Sequence, residues 1–283
     1  MPFLAPPARE KLQAADAGAG LPSLEEALGA LRRDGFVVLR GLLPPELVDD
    51  CARSFGPVLE SHAEAIRSKP NRGPMRHYIA LRAESPHLSE RGVLGHPLLL
   101  ALLRAVLGPG HVNDQLASDT PLRGSTYQPV HADIPRAVDF GRPAREDPWL
   151  LAVNFPLVDV GDVNGPVELL PGSQRLPERE AKKMLAKGER HLVRLLMRKG
   201  DVLVRDVRTL HRGSPNYSDE PRPMVVASFV REGRQRRAHV EEIQPLTSEE
   251  ASRLTAEQRG VLRLHLPAAP AASGAGRPPP SRL

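Results

Sequence analysis

The 283-residue chain carries 39 Lys and Arg against 34 Asp and Glu, a formal net charge of +5 with both signs mixed along the same segments. That mixing, with aromatic residues at only 4%, gives little footing for nucleic-acid binding, and no apolar run nears the roughly 20 residues of a membrane span. The lone cysteine, Cys51, cannot close an internal disulfide, and the proline-bearing start lacks a secretory apolar core. A cytoplasmic protein acting on a small molecule, with neither nucleic acid nor membrane as partner, is the expectation.

Residues 1–20, rich in Ala, Gly and Pro, read as a flexible lead-in, and a single domain is expected over residues 21–266. Ser23 and Glu26 have the spacing of a capping box, Leu24, Leu28 and Leu31 form an apolar stripe, and Gly35 follows, which predicts a short amphipathic helix. FVVLRG, residues 36–41, then reads as a buried strand, and Pro44 and Pro45 open a second helix to about Phe55. A further helix is expected from about Pro97 to Leu107, closed by a Gly-Pro-Gly breaker.

From Val112 to Val230 the texture changes to short β-favouring pieces between turn residues: TYQPVHAD, LLAVNFPLV, VELLP, HLVRLLM, DVLVRDV and MVVASFV. Many short strands of this kind predict a barrel or sandwich. LPEREAKKMLAKGER interrupts them as a short charged helix or lid-like insertion. The stretch from 267 to 283, PAAPAASGAGRPPPSRL, has too little apolar content to pack and reads as a disordered tail.

Chemistry enters with QPVHADIPR, residues 128–136. On an extended backbone, residues i and i+2 share a face, so His131 and Asp133 can aim an imidazole and a carboxylate at one point. Taken alone, the motif reads first as an exposed strand end. In GDVLVRDVRTLHRGSPNYSDEPRPMVVASFV, a strand ending near His211 and another beginning after Arg222 predict an antiparallel hairpin that returns Arg222 toward His211. Two histidines and one carboxylate can occupy one face of an octahedral ferrous ion and leave three positions open, and His131, Asp133 and His211 supply that set. Arg222 would then offer a bidentate fork to the far carboxylate of a chelating 2-oxo acid.

These segments resemble the phytanoyl-CoA dioxygenase family of Fe(II)- and 2-oxoglutarate-dependent oxygenases over roughly residues 24–232. The resemblance rests on DGFVVLRGLLPPELVDDC, QPVHAD, NGPVELLPGSQR and HRGSPNYSDEPR. It implies a mainly β fold with flanking helices, a double-stranded β-helix of cupin-like jelly-roll type. It implies Fe(II), 2-oxoglutarate and dioxygen as cofactor and cosubstrates, with His131, Asp133 and His211 as ligands and Arg222 as the anchor for 2-oxoglutarate. Gln128 and Trp149 fall where relatives place residues beside the pocket, although structural roles serve equally well for both, and Ser214 is a weak substitute for a hydroxyl that relatives carry at the position of Gly213. Halogenating relatives lack the carboxylate that Asp133 provides, so hydroxylation of a C–H bond is implied. Composition typical of a GC-rich bacterial genome points toward secondary metabolism. A non-catalytic cupin-like binding protein and a zinc hydrolase are the alternatives.

Overall fold

The computed structural model describes residues 10–12, 20–83, 88, 92–134, 148–234 and 245–267. Most of the expected lead-in and nearly all of the expected tail lie outside them. Residues 10–12, expected within the lead-in, form strand β1 (Glu10–Leu12).

The first helix, α1 (Leu24–Asp34), begins as its sequence dictates: the Ser23 hydroxyl accepts from the Glu26 N–H, and the Glu26 carboxylate accepts from the Ser23 N–H at 2.8 Å. It ends at Gly35, where φ is 83° and an added Cβ would collide with Thr209 and Gln174, so both conformation and space require glycine. Strand β2 (Phe36–Leu39) follows, then α2 (Pro45–Ser61), which runs past the expected end near Phe55, and α3 (Ala63–Ser68). Next come β3 (Arg76–Ala80), α4 (Pro97–Leu107), β4 (Val112–Pro121), β5 (Leu150–Pro156), β6 (Val167–Leu169), α5 (Glu178–Ala186) and β7 (Val193–Leu195). The chain closes with β8 (Val202–Asp206), β9 (His211–Gly213), β10 (Met224–Val230), α6 (Ser248–Ser252) and α7 (Ala256–Val261). Among the described residues no helix is long and apolar enough to cross a membrane.

The strands form a six-stranded sheet in the order β2-β8-β5-β10-β4-β3 and a four-stranded sheet in the order β1-β7-β6-β9. Alternation along each strand decides which layer it serves. Leu151, Val153 and Phe155 of β5, Val202 and Val204 of β8, and Val225, Ala227 and Phe229 of β10 pack with the helices. The intervening residues Leu203 and Met224 join Phe36, Leu169 and Leu195 in a cluster between the two sheets. This is the double-stranded β-helix, mainly antiparallel, with helices on its outer face.

Two local expectations are corrected. TYQPVHAD forms no regular strand, and only His131 makes a bridge, to His211. Strands β8 and β10 are not a hairpin, because β5 lies between them and pairs antiparallel with both, while β9 belongs to the other sheet. Strand β4, VNDQLASDTP, is paired on both edges despite residues that strands usually avoid. Its polar groups are satisfied inside: Asn113 Nδ2 donates to the carbonyls of Gln115 and Ser228, and Ser118 and Thr120 bond each other at 2.9 Å. The charged insertion is α5, whose Ala181 and Leu185 pack with Val130, Leu170, Leu192 and Leu210, so it is a buttress beneath the segments that carry His131 and His211.

Candidate metal centre

His131 and His211 are tied first through the backbone. The His131 N–H donates to the His211 carbonyl at 3.0 Å and the His211 N–H returns the bond at 2.8 Å, an isolated antiparallel bridge joining two distant segments. Two residues on, the Asp133 N–H donates to the Val207 carbonyl at 3.0 Å. The two imidazole centroids then stand 4.4 Å apart, and Asp133 Oδ1 lies 4.0 Å from His131 Nε2 and 3.7 Å from His211 Nε2. One ligand atom from each residue falls within 4.8 Å of the other two.

The ring orientations suit ligation. His131 Nδ1 lies 2.8 Å from the Pro129 carbonyl and His211 Nδ1 3.1 Å from the Thr209 carbonyl. A carbonyl can only accept, so each Nδ1 carries the proton and each Nε2 keeps a free lone pair facing the carboxylate. Burial pushes the His211 imidazole down to about 3, helped by the nearby Arg205 charge, so the ring is neutral at ordinary pH. Burial by itself would raise the Asp133 carboxyl, but the Arg205 guanidinium and both imidazoles hold it well below the usual carboxylate range. Two imidazole nitrogens and one carboxylate oxygen are a donor set for a divalent first-row metal, and they match the open-faced arrangement used by ferrous oxygenases.

The three groups line a cavity of about 350 Å³. Arg222 lines the same cavity and is 2% exposed, with Nη2 3.7 Å from Asp119 Oδ2 and with Nε lacking any partner among the described residues. Burial lowers Arg222 to about 10, which still leaves it charged at neutral pH. Asp119 gives its shorter contact to a second buried arginine, Arg76, at 2.9 Å. Two buried guanidinium groups therefore share one carboxylate, and an anion entering the cavity would satisfy the remaining charge.

The other sequence candidates divide. Gln128 lines the cavity, and its Oε1 accepts from the Gly213 N–H at 2.9 Å, so it also clamps the strand after His211. Ser214 is spent on the Pro166 carbonyl at 2.6 Å, and Trp149 packs beside Ile134 and Leu264 in a cluster with Val207 and Val230; neither lines the cavity. Arg72 and Tyr78 also reach the cavity wall, with the guanidinium 4.8 Å from the ring centroid. Sequence reasoning missed Arg205, Asp119 and Asn154, all in the cavity wall. An arginine inside VLVRD was the available signal for Arg205, since charge seldom sits in a buried strand without a local task.

Comparison with known proteins gives the chain's relatives and its family. The chain is 26% identical over 221 residues to the multifunctional dioxygenase ausE of Emericella nidulans, covering 74% of each chain. The fold matches the crystal structure of AviO1 from Streptomyces viridochromogenes with a TM-score of 0.58 and 24% identity, covering 77% of this chain and 99% of that one. It also matches SnoN, described as a non-heme alpha ketoglutarate dependent epimerase from nogalamycin biosynthesis, at 25% identity and a TM-score of 0.55 over 74% of this chain and 82% of that one. The model of the family described as phytanoyl-CoA dioxygenase matches residues 31–224, which include every residue of the candidate centre, and the chain belongs to that family.

Proposed function

We propose that the protein is an Fe(II)- and 2-oxoglutarate-dependent oxygenase that hydroxylates a C–H bond of a small molecule. The observation that carries the reading is the meeting of two Nε2 atoms and a carboxylate in one cavity with a buried, under-partnered arginine. His131, Asp133 and His211 would hold the metal, and Arg222 would bind the distal carboxylate of 2-oxoglutarate. Bound together, iron and 2-oxoglutarate supply an oxidant by coupling loss of carbon dioxide and formation of succinate to the activation of dioxygen. The chain's own part is to keep three ligand atoms on one side of the ion, to place the chelator through Arg222, and to hold the substrate C–H in the remaining space. No side chain is needed as a general base. Asp133 would give the metal a carboxylate as its third protein ligand, which favours oxygen chemistry over halide transfer.

SnoN, an epimerase, supports a second outcome, in which the hydrogen removed from carbon is replaced on the opposite face without oxygen insertion, an added reductant such as ascorbate supplying the two electrons that a hydroxylated substrate would otherwise provide. Its source in nogalamycin biosynthesis also favours a substrate from secondary metabolism. The test is anaerobic addition of Fe(II) and 2-oxoglutarate, with the weak visible charge-transfer band of the chelate as the expected result. Substrate-dependent succinate release with ¹⁸O from dioxygen in the product then marks hydroxylation, whereas succinate without label in the product marks epimerisation or ring closure. Absence of both the band and succinate release would overturn the oxygenase reading in favour of a binding protein.

A further inference from the structure

Arg205 stands next to the end of β8, beside the candidate centre, and its position has a simple origin. Strand β8 alternates, so Val202 and Val204 enter the helix-facing core while Leu203 and Arg205 face the cavity. Arg205 pairs with Phe36 of β2 on one side and Ala152 of β5 on the other, so its backbone is fixed from both edges. Its guanidinium is 6% exposed, and among the described residues its one ion-pair partner is Asp133, with Nη2 2.6 Å from Oδ2. The adjacent Asp206 is occupied instead by Arg208 at 2.6 Å. The second arm, Nη1, lies 3.4 Å from His211 Nδ1, too long to displace the Thr209 carbonyl as that nitrogen's partner but close enough to abut the ring.

We propose that Arg205 is a positioning residue of the metal centre: it captures Oδ2 of Asp133, so that Oδ1 alone faces the two Nε2 atoms. The inference rests on the metal reading of His131, Asp133 and His211. Its physical content is geometric. A carboxylate with both oxygens free can rotate out of the site or chelate an ion through both, and the second mode would consume a coordination position that a cosubstrate needs. Fixing one oxygen to a rigid, buried fork prevents both.

Charge and position act in opposite directions, which makes the idea testable. Removing a cation beside a ligand would by itself strengthen the carboxylate as a donor and tighten metal binding. Removing an orienting partner weakens it, typically by roughly 10–100-fold. The experiment is anaerobic titration of the apoprotein with Co(II), followed by its visible spectrum without any cosubstrate, for wild type, Arg205→Gln and Arg205→Lys, each with a melting curve. The expected result is a weaker Co(II) affinity in Arg205→Gln, by about tenfold or more, and recovery of most of it in Arg205→Lys, which can still reach one carboxylate oxygen. Should the glutamine variant fail to fold, Arg205→Met, which keeps the apolar stem, gives the same comparison. Unchanged or tighter Co(II) binding in a folded variant would overturn the positioning role while leaving the metal centre intact. A wild-type protein that takes up no Co(II) would overturn the metal reading itself and this inference with it.

Discussion

Asp133 has two oxygens with different employment, one facing His131 and His211 and the other held by Arg205. Alanine at 131, 133 or 211 is therefore expected to abolish 2-oxoglutarate-dependent succinate release, with circular dichroism showing an intact fold, since none of the three side chains belongs to the apolar clusters. Normal succinate release from any one of them would remove that residue from the centre. Arg222→Ala is expected to raise the 2-oxoglutarate concentration needed for half-maximal rate by roughly 10–100-fold, the worth of a buried charged hydrogen-bond pair of about 1.5–3 kcal/mol. Lysine at 222 should recover little, because a point charge does not reproduce the two-pronged fork. A 2-oxoglutarate titration of both variants settles the matter, and an unchanged requirement would separate Arg222 from the cosubstrate.

At the level of elements, the short strands β6 and β9 are joined by a buried ion network. Glu168 of β6 sits opposite Arg212 of β9, is fully buried, and bonds Arg212 at 2.8 Å and Arg194 of β7 at 2.9 Å. Truncating it would remove the carboxylate that the buried Arg212 shares with Arg194, so Glu168→Leu is expected to cost roughly 3–5 kcal/mol of stability, read from a urea unfolding midpoint. A loss under about 1 kcal/mol, the scale of an exposed pair, would show that the network contributes little. Gly213, next along β9, leaves space that the Arg76 guanidinium fills, and that guanidinium is held by Asp119 and by the Ser214 carbonyl at 2.7 Å. Gly213→Ala should displace it, lowering stability by about 1–3 kcal/mol and weakening 2-oxoglutarate binding through Asp119 and Arg222. Retention of both properties would mean that Arg76 yields without consequence.

For the molecule as a whole, the acid response should come from buried neutral imidazoles. His265, 1% exposed and bonded through Nε2 to Asn113 Oδ1 at 2.8 Å, is lowered by burial to about 4, and burial lowers His111 as well. The unfolded chain takes up these protons first, as pH falls below about 6.5, while the folded His265 resists until near 4. Its contribution is thus fully present above 6.5 and is lost as pH falls, by about 2 kcal/mol at pH 5. Urea midpoints at pH 7.5 and 5 should show this loss, and His265→Gln, which retains a donor for Asn113, should flatten the dependence. An equal slope in that variant would place the acid sensitivity elsewhere.

The residue pattern by itself determined the capped first helix, the apolar strands and the identity of the ligand candidates, because these depend on local spacing: Ser23 with Glu26, alternation in VLVRD, and one residue between His131 and Asp133. Only the tertiary structure decided that β5 separates β8 from β10, that polar VNDQLASDTP is a strand paired on both edges, and that Arg205 and Asp119 occupy the cavity wall. Those facts depend on which strands become neighbours. Pairing across a sheet is fixed by burial and by hydrogen bonds between segments far apart in the chain, a constraint that no local window contains.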